Sequence, residues 1–433
     1  MSRVNLLELV TANPAYRKLA AHIFLLILWR PHEQDSPEKE LAESFEKGFF
    51  ERVAWQVGET SPLLADALSK KLGIYKLECG SLATHNEYFS VITRVLAEDA
   101  SLRPILLERL LQKLEADDPH SGARPCPEEL IQLIAGISQQ AGGSSYYDPL
   151  SATGRLLTEL VSSSAPASWG VGQSESDEDN LHGLLRAFYQ HSSLRFEKAD
   201  ALKSPPNDGV RLQAFDVVVS DLSVGADVWD PELGARDRFG RFRYGIAPKG
   251  KGEWPFIQHM LACMRPDHGV AIAVVDLASL LRAGKEAEIR RAIIQANLLD
   301  AVIYLPPKLY RSDARSLAIL VFSSSRRSRS VLLIDGSKQY TSEKSLNTLT
   351  PAGIQQIQEQ YSNREPVDGN TVILSIDELE KNGFALNPGR YFAARPNEGH
   401  HDLHALNSEH EHLKRELWHL GAQIDELLSR LAG

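Results

Sequence analysis

From about residue 127 onward, short continuous apolar runs alternate with stretches of helical periodicity. No other feature constrains the fold of this chain as tightly. The runs are Ser168–Gln173, Phe215–Ser220, Gly269–Val275, Ala301–Leu305 and Ala318–Phe322. Between them, Leu181–Tyr189, Pro255–Met264 and Lys285–Ala296 repeat apolar residues at helical spacing. Strands that are apolar on both faces need cover on both faces, so the pattern predicts an α/β fold with a doubly wound, mostly parallel sheet. Ligands of such sheets lie at the carboxyl ends of the strands. The loops after 147, 173, 200 and 220 are therefore where chemistry is expected.

The flanks read differently. Residues 1–125 are expected to form a helical domain. Asn13-Pro14 starts an apolar helix that runs to Trp29 before Pro31, and Leu102–Leu114 repeats leucine at helical spacing. Ala116–Cys126 reads as a linker. The core then spans 126–345, with an extension over 346–398 and a C-terminal amphipathic helix over 399–433. In that helix Leu406, Leu413, Leu417, Leu420, Ile424, Leu427 and Leu431 follow a three-four alternation. It is either a coiled-coil seam for a partner or a helix packed on its own body.

Composition narrows the function. A hydrophobic fraction of 43% with 24% charged residues suits a globular chain. The longest apolar stretch, Ile23–Trp29, is shorter than the roughly 20 residues a bilayer requires. The first residues lack the pattern of a secretion signal, and Cys79, Cys126 and Cys263 make no disulfide framework, so a cytoplasmic location is expected. His400 and His404 have metal-pair spacing, but no carboxylate or cysteine completes a set, so no metal is expected. No G-x-S-x-G or phosphate-loop motif supports a hydrolase or an NTPase. Net charge is -10, which excludes a uniformly basic nucleic-acid binder but not a basic groove on an acidic body. Ser174–Asp179 is an acidic run. Arg236, Arg238, Arg241, Arg243, Lys249 and Lys251 alternate with Phe239, Phe242 and Tyr244. This basic segment is either a phosphate contact or a solvated loop.

The loop Asp148-Pro149-Leu150-Ser151-Ala152-Thr153-Gly154-Arg155-Leu156-Leu157 resembles D-P-A-C-G-T-G-G-F-L of the modification subunits of type I restriction-modification systems, which are adenine-N6 DNA methyltransferases. Phe215–Gly225 is similar to their F-D-V-V-L-A-N-P-P-F-G. Phe239–Lys249, Pro255–Leu261, Leu298–Pro307 and Asn387–Tyr391 extend the likeness over about 130–395. The resemblance implies a Rossmann core of class I methyltransferase type and S-adenosylmethionine as cofactor. It assigns Asp148, Gly154, Glu175 and Asp200 to the cofactor, and Asp221 with the Leu222 carbonyl to the amino group of the target adenine. It places the basic segment on the DNA side.

Three loops depart from the family. Ala152 and Arg155 replace glycines. The acidic position after the second strand falls on Ser174, with Glu175 one residue late. Leu222 and Ser223 replace both prolines, and Val224 replaces the aromatic residue that stacks on the flipped base. Stacking contributes about 1–3 kcal/mol, comparable to the cost of flipping a base. The expectation is a pseudo-methyltransferase without bound cofactor, acting as a DNA-associated or scaffolding subunit in restriction-modification or phage defence. The alternative is an active enzyme with divergent loops. Partners implied by the resemblance are DNA and, through the C-terminal helix, an active paralogue, a specificity subunit or a second copy; no membrane is implied.

Overall fold

The computed structural model describes residues 20–28, 49–74, 92, 102–117, 126–190, 193–223, 225–226, 229–311, 313–343, 346–392, 410–417 and 420. It divides into two units, Met1–Asn387 and Pro388–Gly433. In the first, helices α1 (Ala20–Leu28), α2 (Phe49–Thr60), α3 (Pro62–Ile74) and α4 (Leu102–Asp117) precede the core. Helix α4 continues through Asp117, past the expected start of a linker at Ala116.

Helix α5 (Glu128–Ala141) leads into β1 (Ser145–Asp148), and α6 (Arg155–Ser162) into β2 (Trp169–Ser174). Next come α7 (Asp177–Gln190), β3 (Leu194–Lys198), β4 (Val217–Asp221), α8 (Pro231–Ala235) and α9 (Glu253–Cys263). They are followed by β5 (Val270–Asp276), α10 (Leu277–Leu281), α11 (Lys285–Gln295), β6 (Leu299–Pro307), β7 (Ser316–Ser323) and β8 (Ser330–Asp335). The antiparallel pair β9 (Tyr340–Glu343) and β10 (Leu346–Leu349) precedes α12 (Pro351–Asn363), β11 (Thr371–Ser375) and α13 (Ile376–Lys381). The second unit holds α14 (Pro388–Tyr391) and a helical stretch over 410–417.

The main sheet has the order β11-β8-β6-β7-β5-β4-β1-β2-β3. Its pairings are parallel except that β7 runs antiparallel to β5 and β6, and β11 to β8. Ala271–Val275 of β5 and Ala318–Val321 of β7 are fully buried, which is why these strands read as unbroken apolar runs. Strand order reverses between β1 and β4, and the loops leaving their carboxyl ends share one crevice there.

The acidic run at 174–179 has a local use. Asp177, Glu178 and Asp179 occupy the first turn of α7, where carboxylates oppose the positive end of the helix dipole, and Asp177 also pairs with Lys198 at 2.7 Å. Among the described residues no helix is long and apolar enough to cross a membrane, and no cluster of three metal-ligating side chains occurs. The expected helix start at Asn13-Pro14, Val224, His400, His404 and heptad positions 406, 424, 427 and 431 lie outside the described residues. Leu413, Leu417 and Leu420 are exposed.

Helices α6 and α7 approach the sheet closely because Gly154, Gly172 and Gly183 surround the buried ring of Phe196. A methyl group on Gly172 would stand 2.6 Å from Ser151 Oγ and 2.7 Å from that ring. Gly172→Ala is therefore expected to cost about 1–3 kcal/mol of stability. Urea unfolding with an unchanged midpoint would refute this packing account.

Candidate functional site

The loop leaving β1 is shaped by backbone bonds. Ser151 N donates to Gln173 O at 2.8 Å, and Gly154 N to Ser151 O at 2.7 Å. Gly154 has φ 76°, and Ala152 holds φ 42°, a left-handed conformation that costs a residue with a β-carbon roughly 1–2 kcal/mol. The turn thus keeps a glycine's backbone at 152 despite the alanine. Arg155 is committed elsewhere: its guanidinium pairs with Glu128, lies 3.8 Å from Glu108 and reaches Cys126 O at 3.4 Å. Ser151 Oγ is buried without a partner.

Asp148 ends β1 almost fully buried. Its Oδ1 accepts hydrogen bonds from Ser220 Oγ at 2.7 Å, across from β4, and from Leu150 N at 3.1 Å. Burial outweighs these donors and pushes its carboxyl up to about 7. Glu175 and Asp200, from the loops after β2 and β3, meet on one side chain. Lys203 Nζ lies 3.7 Å from Glu175 and 2.6 Å from Asp200. Asp200 Oδ1 also accepts from Leu202 N and Lys203 N.

Without the family's prolines, residues 221–223 still form a defined turn. Asp221 Oδ1 accepts from Ser223 N at 3.1 Å and Ser223 Oγ at 2.6 Å, closing a tight side-chain turn. Leu222 N donates to Val274 O, and Arg315 donates to Ser223 O at 3.1 Å while pairing with Asp313 and Asp276. Asp221 Oδ2 receives the phenol of Tyr310, which arrives from the loop after β6. Burial raises the Asp221 carboxyl above its usual range, and burial with the Asp221 charge raises the Tyr310 phenol. The Cys126 thiol, at the head of α5, is also buried; burial and then the Asp221 charge push it up. Tyr310 and Cys126 carry no sequence signal for this place, because a loop 89 residues away delivers the phenol.

Five of the six basic candidates remain at the surface: Arg236, Arg238, Arg243 and Lys249 are exposed, and Lys251 is half-buried. Arg236 pairs with Glu232 at 3.4 Å. Arg241 departs from the expectation. It is buried, pairs with Asp237 at 2.8 Å, and donates to Ala201 O and Leu202 O at 3.2 and 2.6 Å. It also lies 3.3 Å from His259 Nδ1, and His259 Nε2 lies 2.9 Å from the Tyr147 hydroxyl, which donates to Gln173 Oε1. With Arg241 as donor to Nδ1, the imidazole is neutral and carries its proton on Nε2. Burial, then the Arg241 charge, holds His259 well below its usual range. Arg241 is thus a buried cross-brace. Arg326 is likewise tied inward to Asp300 at 3.1 Å.

The pH response of the fold depends on Asp148. An acid raised in the folded state binds its proton more tightly there than in the unfolded chain. The Asp148 contribution is therefore fully present at low pH and lost as pH rises from about 4 to about 7, by about 4 kcal/mol. Asp148→Asn should flatten that part of a stability-versus-pH curve, and an unchanged curve would contradict the assignment. Arg241→Ala should cost about 3–5 kcal/mol, because Asp237 keeps a buried charge without its partner. Thermal unfolding at wild-type temperature would return Arg241 to the surface set.

A family model described as N-6 DNA Methylase matches residues 106–400. The methylase subunit of the type I restriction enzyme MjaVIII from Methanocaldococcus jannaschii is 25% identical over 308 residues, covering 67% of this chain and 53% of that protein. The HindI methylase subunit from Haemophilus influenzae is 25% identical over 293 residues, covering 64% and 65%. The chain spans about half the length of the M. jannaschii relatives it matches. Among solved structures, a type I methyltransferase subunit from Streptococcus thermophilus superposes with a TM-score of 0.69 at 20% identity, covering 90% of this chain and 97% of that one. A class I S-adenosylmethionine-dependent methyltransferase from Listeria monocytogenes gives 0.51 at 19%, covering 79% and 98%. At these identities the structural likeness carries the fold.

Proposed function

The chain belongs to the N-6 DNA methylase family, and from that premise we propose that it is a non-catalytic member, a DNA-associated or scaffolding subunit of a restriction-modification or phage-defence assembly. One observation carries the reading: the chain itself supplies donors to both carboxylate oxygens of Asp221, from Ser223 and from Tyr310. Methylation of adenine at N6 needs an acceptor there. Pulling on the amino hydrogens draws the nitrogen lone pair out of the ring and toward the methyl donor. An incoming base would have to displace the phenol, leaving the buried Tyr310 hydroxyl, among the described residues, only the weak Cys126 sulfur as partner.

The cofactor residues fit S-adenosylmethionine poorly. Its ammonium calls for an ionised carboxylate, yet burial pushes Asp148 up to about 7 against the opposing pull of the Ser220 hydroxyl. Glu175 and Asp200, the candidates for the ribose hydroxyls, share Lys203.

The exposed cations Arg236, Arg238, Arg243 and Lys249, with the half-buried Lys251, then serve as phosphate contacts, which give affinity without sequence information. The exposed leucines 413, 417 and 420 offer a seam to another subunit: an active paralogue, a specificity subunit or a second copy. Work beside chromosomal DNA puts the protein in the cytoplasm.

A second reading, an active adenine-N6 methyltransferase using Asp148, Asp200 and Asp221, is favoured by the left-handed backbone kept at Ala152 and by the unpartnered Ser151 Oγ. Calorimetry with S-adenosylmethionine separates the two. The non-catalytic reading expects no heat and no labelled methyl in adenine-containing DNA. Micromolar binding abolished by Asp148→Ala, with methyl transfer, would establish the second.

A further inference from the structure

A groove of about 650 Å³ opens in the first unit, and neither Asp148 nor Asp221 lines it. Its walls come from the β3–β4 connection, the end of α9 and the 238–244 segment. Leu298, just before β6, and Ser324, just after the antiparallel β7, place it at the amino edge of the sheet. The cofactor loops occupy the carboxyl edge.

Its lining is chemically two-sided. Arg211, Arg238 and Arg243 are exposed, and among the described residues none of them forms an ion pair. No acidic residue lines the groove. The nearest acid in sequence to Arg211, Asp208, turns its Oδ1 onto the backbone amides of Val210 and Arg211 at 2.9 and 2.7 Å. Two of the guanidinium groups are held in place. Arg238 stacks 4.5 Å from the Phe239 ring centroid, and Arg243 lies 5.0 Å from that of Tyr244 while donating to its hydroxyl at 3.0 Å. Beneath this rim, Leu212, Leu261, Met264 and Leu298 supply apolar surface. Arg211 is near enough to Asp208 to feel its charge, and Arg238 reaches Asn207 Oδ1 at 3.4 Å. On a chain of net charge -10, three exposed arginines around one opening with no acid in its lining still leave local charge for an anion to neutralise.

We propose that this groove binds an unpaired nucleotide unit, with phosphates on Arg211, Arg238 and Arg243 and the base against the apolar floor. The volume lies within the roughly 300–1,000 Å³ typical of ligand pockets. Planar, stacked guanidinium groups suit phosphate oxygens, and a base face suits an apolar or aromatic wall without regard to sequence. A base-paired duplex presents its phosphates outward and cannot offer its bases to the floor. This rests on reading 236–251 as a nucleic-acid contact, and extends it by adding Arg211, from a different loop, and by specifying single-stranded chemistry. The ligand is either a free nucleotide or a stretch of single strand.

The test is fluorescence anisotropy on the full chain with a labelled single strand of about 12 nucleotides, the matching duplex, and ATP as competitor, at about 50 and 200 mM salt. The single strand should bind more tightly than the duplex, and ATP should displace it if a free nucleotide fits. The triple substitution Arg211→Gln, Arg238→Gln and Arg243→Gln should weaken binding at least tenfold. It should also lower the salt slope by about 2, since each phosphate neutralised on a single strand adds about 0.7. Circular dichroism of the same variant should match the wild type, since all three side chains are exposed. Unchanged affinity and slope in the variant, or preference for duplex, would overturn the proposal. Duplex binding abolished only by changing Lys249 and Lys251 would do so while leaving the DNA-associated reading intact; no binding of any nucleic acid would defeat both.

Discussion

Parallel pairing of β1 with β4, where the strand order reverses, is the constraint on which the rest of the site depends. Tyr146 and Tyr147 lie in register with Val217 and Val218, so Asp148 and Ser220 end up within hydrogen-bond reach. The register is fixed from the other end of the strands. Asp216 accepts hydrogen bonds from Ser144 N, Ser145 N and Ser145 Oγ, and contacts Arg265 and His268 at 2.7 and 3.0 Å. Burial works to raise its carboxyl, but these donors win and hold it at about 2. A one-residue slip would break this set and turn every side chain of β1 to the wrong face.

Buried ions tie the helical segment to that crevice. Arg186 of α7 grips Glu108 of α4 with two nitrogens, meets Glu115 at 3.0 Å and donates to Thr153 O in the loop after β1 at 2.6 Å. Burial disfavours the Glu115 charge, yet Arg186 and His182 keep its carboxyl below the usual range. Such a pair adds little net stability over apolar residues of the same volume, but removing one partner is costly. The arrangement therefore makes the loop conformation depend on the packing of α4. On the other face, the Arg241–Asp237 pair and the His259–Tyr147–Gln173 chain brace the connection after β3 in the same manner.

Much of the architecture is legible in the sequence. The strands at 169–174, 217–221, 270–276 and 316–323 lie within about two residues of their apolar runs, because double-sided burial demands continuous apolar sequence. Strand β3 escapes that rule: as an edge strand it carries Arg195, Glu197 and Lys198 outward and has no unbroken apolar run. Motif likeness is enough to single out Asp148, Glu175, Asp200 and Asp221 as candidates. It does not find the groups that occupy them, Ser220, Lys203 and Tyr310, because a hydrogen bond between loops leaves no periodic trace. Arg241 is misread from sequence for a related reason. Its neighbours along the chain are exposed cations, and only the fold brings Ala201 O, Leu202 O and Asp237 around its guanidinium.

Local rules acting over a few residues, namely apolar continuity, helical spacing and the turn chemistry around Gly154, determined the α/β class, the central buried strands and the family likeness by themselves. The tertiary structure alone decided which carboxylates stay open to a ligand and which are already satisfied, and where exposed arginines collect around an opening without acids. Those outcomes turn on distances of about 3 Å between side chains that are tens of residues apart in sequence, and hydrogen bonding and charge neutralisation fall away too steeply with distance for sequence proximity to reveal them.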